Sequence, residues 1–413
     1  MRTLHKELAK HILADGLPIE FDIEKSQGSF VLDRNGDSYL DMFSMFASSP
    51  VGYNHPDIVA QQEFLGRMAI NKPAMSDIYP YQYAKILETF ARVAIPAELP
   101  YTFFISGGTL AVENALKAAF DWKTRLNMAQ GKDVVASQVI HFKEAFHGRS
   151  GYTLSLTNTN DPRKYLYFPK FDWPRITNPK LHFPLTEDSL QETISQEKIA
   201  IQQIEEALAQ NPNDIACLII EPIQAEGGDN HFRPEFFQQL RKICDAHEIL
   251  LILDEVQTGL AMTGKMWAYQ HYDIIPDLIC FGKKSQVCGI LGNKAKFDQV
   301  EHHVFQESSR INSTFGGNFI DMLRFQIILE IMEKEDLVAK AEHMGRYLLE
   351  QVQKLVTKYP QLSAARGLGL VVAFDFETAA QRNDFINRSL ENKLLILGCG
   401  EKSVRFRPHL TVS

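Results

Sequence analysis

Hydrophobic and polar positions along this chain change period several times, and each change predicts an element. At 28–43, GSFVLDR and DSYLDMF alternate with a period of two on either side of Asn35-Gly36, which predicts a strand–turn–strand hairpin. Residues 56–100 carry mostly helical spacing. YTFFISGGT then predicts a strand running into a glycine turn, and AVENALKAAFDWKTRL a helix with one apolar face. Further on, short apolar runs alternate with amphipathic ones. VVASQVIHF, DIACLIIEP, LLILDEVQT and PDLICFGKK predict strands, while 197–210 and EFFQQLRKICDAHE predict helices. Strands apolar on both faces, separated by helices, imply a parallel or mostly parallel sheet covered on both sides. A long, broken helix is expected from about 317 to 358. After it, RGLGLVVAFDF, KLLILGCG and SVRFRPHL predict the short strands of a smaller α/β unit. The expected division is an N-terminal segment 1–55 packing with the small domain, a large domain 56–318 and a small domain 319–413.

Composition narrows the function. The 413 residues are 45% hydrophobic and 23% charged, so a folded chain with a large core is expected rather than a disordered one. A formal net charge of −8 argues against a basic face for nucleic acid or an anionic membrane. The five cysteines form no CxxC pair, so no zinc ribbon or other metal site is expected, and their odd number suits a reducing compartment. The N-terminal MRTLHKELAKHILADG lacks the apolar core of a secretory signal, and no apolar run is long enough for a bilayer. The expectation is a cytoplasmic protein.

Two motifs fall short of nucleotide binding. Gly259-LAMT-Gly264-Lys265 resembles a phosphate-binding loop, but Met266 stands where a magnesium-binding hydroxyl is required. A nucleotide-binding ATPase using this loop is the distant alternative. Gly367-Leu-Gly369 precedes a strand rather than following one and lacks the third glycine of a dinucleotide fingerprint.

The constellation that carries chemistry is an acid and an amine at two strand ends. LLILDEVQTG ends an apolar run in Asp254 and Glu255, and PDLICFGKK ends another in Lys283 and Lys284. Either alone is an ordinary charged strand end. Together they suit pyridoxal phosphate (PLP), whose aldehyde forms a Schiff base with an amine and whose ring nitrogen needs a carboxylate to stay protonated. SGGT before AVENALK supplies a helix N-terminus for the phosphate.

The chain resembles the class III (ω-type) aminotransferases of PLP fold type I over essentially its whole length. The resemblance is carried by YLDMFS, GYNHP, SGGTLAVENALKAA, AFHGRSG, IIEPIQAEGG, DEVQTG, PDLICFGKK and NSTFGGN. Within the class, LSLTN, FPKFDWPRI, FGKKSQVCG and RFRPHLTVS resemble the subgroup that acts on the ε-amine of L-lysine. The resemblance implies a large mostly parallel α/β domain with a smaller α/β domain formed by the N- and C-terminal segments. It implies that Lys283, with Lys284 as competitor, anchors the cofactor and moves the substrate proton. It places Asp254 on the pyridine nitrogen, Gln257 on the ring hydroxyl, Gly108 and Thr109 on the phosphate, and Phe146 on the ring face with His147 beside it. Thr314, with Asn312 or Ser313 near it, would reach the phosphate of the other subunit in a homodimer with shared sites. Arg405 would hold the α-carboxylate of glutamate and Arg149 the distal carboxylate. Glu226 would neutralise Arg405 while an ω-amine is bound and swing away for 2-oxoglutarate or L-glutamate. Other ω-amine donors (ornithine, 4-aminobutyrate or a diamine) remain the alternative within the class.

Taken residue by residue, Phe146 also reads as core, His147 as a turn cap and Thr314 as the N-cap of the following helix. Two features depart from the class: Ala261 stands where glycine is usual, and the resemblance implies a final small-domain helix beyond TVS, without which apolar surface would be exposed and the small domain that carries Arg405 destabilised.

Overall fold

The structure is a computed structural model and describes residues 3–413. The hairpin consists of β1 (Phe30–Leu32) and β2 (Ser38–Asp41), antiparallel with Phe30 opposite Leu40. The turn Asn35-Gly36 joins them, and the Asp33 carboxylate accepts from the Asn35 backbone and side-chain N–H groups.

The main sheet has seven strands: β3 (Tyr101–Ile105), β4 (Gln138–Phe142), β5 (Arg175–Ile176), β6 (Ile215–Ile220), β7 (Leu250–Asp254), β8 (Leu278–Phe281) and β9 (Cys288–Gly292). Their order is β3-β9-β8-β7-β6-β4-β5. Strands β4, β6, β7 and β8 are mutually parallel, as the apolar strands predict, and the two-residue β5, which the pattern does not announce, joins β4 in parallel. Every residue of β6 and β7 is buried, because helices cover both faces. Only β9 runs antiparallel, to both β3 and β8. The pattern does not announce β9, since CGILG is short and glycine-rich. Its Gly289 has a physical reason: a Cβ there would collide with the carbonyl of Phe103 and the ring of Phe281.

The smaller unit is built on β10 (Leu362–Leu368), β11 (Val371–Phe376), β12 (Leu394–Leu395), β13 (Leu397–Cys399) and β14 (Ser403–Phe406). Four of these form an antiparallel sheet in the order β10-β11-β14-β13, while β12 pairs in parallel with β2 of the hairpin. The N-terminal hairpin is thereby tied to the C-terminal segment. The expected long helix is two, Phe319–Lys334 and Leu337–Lys358, broken at Asp336, which has a left-handed backbone (φ 48°). Two other helices differ from the expectation. Glu187–Gln210 begins ten residues early, from a reciprocal cap between Thr186 and Ser189. Ala379–Glu391, capped by Thr378 and Gln381, was not anticipated; it is largely polar and buries only Ser389.

The loop resembling a phosphate-binding motif is packed rather than open: residues 259–264 are buried against Trp267 and Glu342. It offers no cradle for a nucleotide. No helix among the described residues is long and apolar enough to cross a membrane.

Candidate active site

A cavity of about 440 Å³ opens at the carboxyl ends of the parallel strands, where open α/β sheets bind ligands. Asp254 closes β7 and is buried. One carboxylate oxygen accepts from the backbone N–H of Val256 at 3.1 Å, the other pairs with His147 Nδ1 at 2.8 Å. Burial opposes charge on His147, but the Asp254 carboxylate outweighs it and Glu221 adds to it, so the imidazole is held above its ordinary range. Glu221 follows β6 and accepts from the N–H groups of Phe146 (2.9 Å) and Ala225 (3.3 Å). Burial is the main cause that pushes Glu221 up to about 8; His147 opposes this and Asp254 adds to it. Asp254, His147 and Glu221 are thus one buried cluster at the cavity floor.

The two lysines after β8 diverge. Lys283 has a left-handed backbone (φ 53°) and lines the cavity. Such a conformation is sparsely populated for a residue with a side chain and is a common place for strain at functional sites. Burial and then the charge of Arg405 lower its amine, against Asp254 and Glu226. Lys284 is fully buried and donates to the carbonyl of Gln257 at 2.6 Å. Burial holds its amine well below the usual range. Lys283 therefore meets the cavity and Lys284 ties down the chain behind it.

Gln257 also lines the cavity. Arg407 Nε lies 3.0 Å from its Oε1. Arginine only donates, so the amide oxygen must face Arg407, which leaves the amide nitrogen as a donor for the cavity. Arg407 is itself fixed by an ion pair with Asp229, both nearly inaccessible. Gly108 and Thr109 begin the helix Gly108–Ala129 and line the cavity with Phe146. Gly148 lets Phe146 and His147 approach this helix: a side chain there would overlap the hydroxyl of Thr109.

Another part of the lining is cationic. Arg405 is buried on β14, and its Nη2 lies 2.8 Å from Glu226 Oε2. Its Nε and Nη1 are buried without a hydrogen-bond partner among the described residues. The other oxygen of Glu226 pairs with Lys164. Burial would raise the Glu226 carboxyl, but Arg405 and Lys164 outweigh it and hold it below its usual range. Arg149 is exposed, with its guanidinium 5.7 Å from the Phe146 ring centre, and has no ion-pair partner among the described residues.

Ten of the sequence-predicted residues line this one cavity: Gly108, Thr109, Phe146, His147, Arg149, Glu226, Asp254, Gln257, Lys283 and Arg405. Thr314 and Asn312 do not; both are exposed on a loop outside it. Thr314 does not cap the following helix either, since Asn318 is in that position. Sequence reasoning passed over Glu221, Lys164, Arg407 and Phe46, the last of which lines the cavity 5.9 Å from Lys283 Nζ. For Glu221 the signal was present: IIEP ends an apolar strand in charge, as LLILDE does. For Lys164 no local signal exists, because its partner Glu226 lies 62 positions away.

The donor set fits PLP. An amine and a carboxylate face one cavity, a helix N-terminus with a hydroxyl suits a phosphate dianion, and Phe146 offers a ring face.

Comparison with known proteins agrees. Residues 13–413 match the aminotransferase class-III family. An L-lysine-epsilon aminotransferase of Mycobacterium tuberculosis is 48% identical over 416 residues, covering 99% of this chain and 92% of that protein. One of Streptomyces clavuligerus is 43% identical over 419 residues, covering 100% and 91%. The solved structure of lysine aminotransferase from M. tuberculosis is similar with a TM-score of 0.96 at 48% identity, over 99% of this chain and 94% of that one. The chain belongs to the class III aminotransferase family, PLP-dependent enzymes of fold type I.

Proposed function

We propose that this enzyme transfers the ε-amino group of L-lysine to 2-oxoglutarate through PLP, giving 2-aminoadipate 6-semialdehyde and L-glutamate. The observation that carries the reading is the unequal state of two arginines: Arg405 is neutralised by Glu226, while Arg149 has no ion-pair partner among the described residues. Such a site suits a substrate with one carboxylate, entering amine-first with that carboxylate on Arg149. Released from Glu226, Arg405 suits the second carboxylate of 2-oxoglutarate. The names of the M. tuberculosis and S. clavuligerus relatives support lysine as the donor.

Bound PLP supplies an electron sink for the carbon that loses a proton. The chain's residues do the rest. Lys283 would anchor the cofactor, and its Nζ would move the proton between the amine-bearing substrate carbon and the cofactor carbon. Asp254, oriented by His147, keeps the ring nitrogen protonated. Gln257 would donate its amide N–H to the ring hydroxyl oxygen, Phe146 would cover the ring, and Gly108 and Thr109 would donate to the phosphate. The proposed unit is a homodimer acting in the cytoplasm, in which Thr314 of each chain reaches the phosphate site of the other and Asn312 near it contacts the substrate. The exposed position of both residues, outside their own cavity, supports this.

The test is incubation with lysine and 2-oxoglutarate. Glutamate and semialdehyde in equal amounts are expected; turnover of ornithine or 4-aminobutyrate without lysine would overturn the donor assignment.

A further inference from the structure

Lys164 closes a one-turn 3₁₀ helix, Pro162–Lys164, on the surface. Its side chain is nevertheless only 13% exposed, because it folds inward onto Glu226. Its neighbours do not compete for it: Asp161 is held by Arg163 at 2.7 Å. The two oxygens of Glu226 are divided, one on Lys164 and one on Arg405. The Nζ of Lys164 also lies 5.7 Å from the ring centre of Phe146, so the pair borders the cavity.

The charge count gives this division a consequence. Glu226 with Arg405 alone is neutral, and an arriving carboxylate would make the group anionic while stripping Glu226 of its partner. A half-buried carboxylate without a partner is costly. With Lys164 included, the group starts with one net positive charge and becomes neutral when a carboxylate arrives. Glu226 then gives up only its contact with Arg405 and keeps the one with Lys164. The unpartnered Nε and Nη1 of Arg405 give the incoming carboxylate further donors.

We propose that Lys164 is the positioning residue that retains Glu226 when Arg405 is taken by a dicarboxylate, and so sets the balance between the dicarboxylate and ω-amine half-reactions. This rests on the roles given above to Arg405 and Glu226.

The test compares wild type, Lys164→Gln and Lys164→Arg as holoenzymes. Binding of glutarate, an unreactive dicarboxylate, is measured by calorimetry, and the two half-reactions are followed separately. In Lys164→Gln, glutarate affinity and the KM for 2-oxoglutarate should worsen by roughly tenfold, the size expected for losing a partly buried partner. The KM for the amine donor should move by less than about threefold, because Glu226 stays on Arg405. Lys164→Arg should restore glutarate binding. In a Glu226→Gln background, Lys164→Gln should have no further effect on glutarate, because the lysine acts through that carboxylate. Equal losses in both half-reactions, unchanged glutarate affinity, or a full effect without Glu226 would each overturn the proposal. Failure of lysine turnover in wild type would sink only the donor assignment, since the glutarate comparison uses no donor.

Discussion

The two ends of the cavity are built differently. At the floor, Asp254 and Glu221 end or follow strands of one sheet, and main-chain N–H groups hold both carboxylates, with the fully buried His147 on the second oxygen of Asp254. At the cationic wall, Arg405 comes from β14 of the smaller sheet, Glu226 from the loop after β6 and Lys164 from a one-turn helix. There the charges are satisfied by side chains, on one another. Backbone donors cannot be exchanged during a reaction, whereas side-chain ion pairs can. The floor therefore suits a group that stays bound for the whole cycle, and the wall suits substrates that alternate.

The sharpest break of this comparison is at the floor. Lys283→Ala should lower turnover by about four orders of magnitude or more, as for loss of a covalent nucleophile. Lys284→Met should instead leave cofactor attachment in place and destabilise the fold by about 1–3 kcal/mol, since it removes only a buried donor to Gln257. Denaturant melts and turnover of the two variants separate these outcomes. Asp254→Asn comes next. Asn can still accept from Val256 and so keeps the local fold, but it cannot hold a proton on the ring nitrogen; kcat should fall by roughly 10²–10⁴-fold.

At the wall, Glu226→Gln should act in opposite directions on the two half-reactions. Arg405 loses its counter-charge, so dicarboxylate binding should tighten and the KM for the amine donor should rise, each by roughly tenfold. Parallel changes in both would remove the distinction between floor and wall.

The smallest effect concerns pH. Glu221 is raised from 4.5 to about 8 by burial. The folded state thus holds its proton more tightly than the unfolded state. The stability from burying the neutral form is complete below the unfolded value and is lost as pH rises through the folded one. Gln at 221 is neutral throughout. The melting temperature of Glu221→Gln relative to wild type should therefore rise between about pH 5 and pH 8.5. A constant difference would mean that Glu221 is already ionised in the native protein.

Much of the main sheet was legible because its strands are short, mostly apolar runs alternating with amphipathic helices, the pattern of a sheet covered on both faces. The exceptions have physical reasons. β9 carries glycines where backbones and rings crowd it, which erases its strand signal, and the helix Ala379–Glu391 lies on the surface with little apolar periodicity to read. At the site, Asp254 and Lys283 stood out because each interrupts an apolar run with charge. Phe146, Gln257 and Arg149 are unremarkable in their own peptides and were reached through the family resemblance. Arg407 and Lys164 were reached by neither route. Their significance lies in partners brought from distant segments, Gln257 and Asp229 for one and Glu226 for the other.

The proposed covalent anchor of the cofactor is Lys283, which lines the cavity together with Asp254. Reducing the holoenzyme with borohydride and mapping the modified peptide by mass spectrometry tests it directly. The account predicts the pyridoxyl adduct on Lys283 and its disappearance in Lys283→Ala; an adduct on Lys284, or one that persists in the variant, would contradict it.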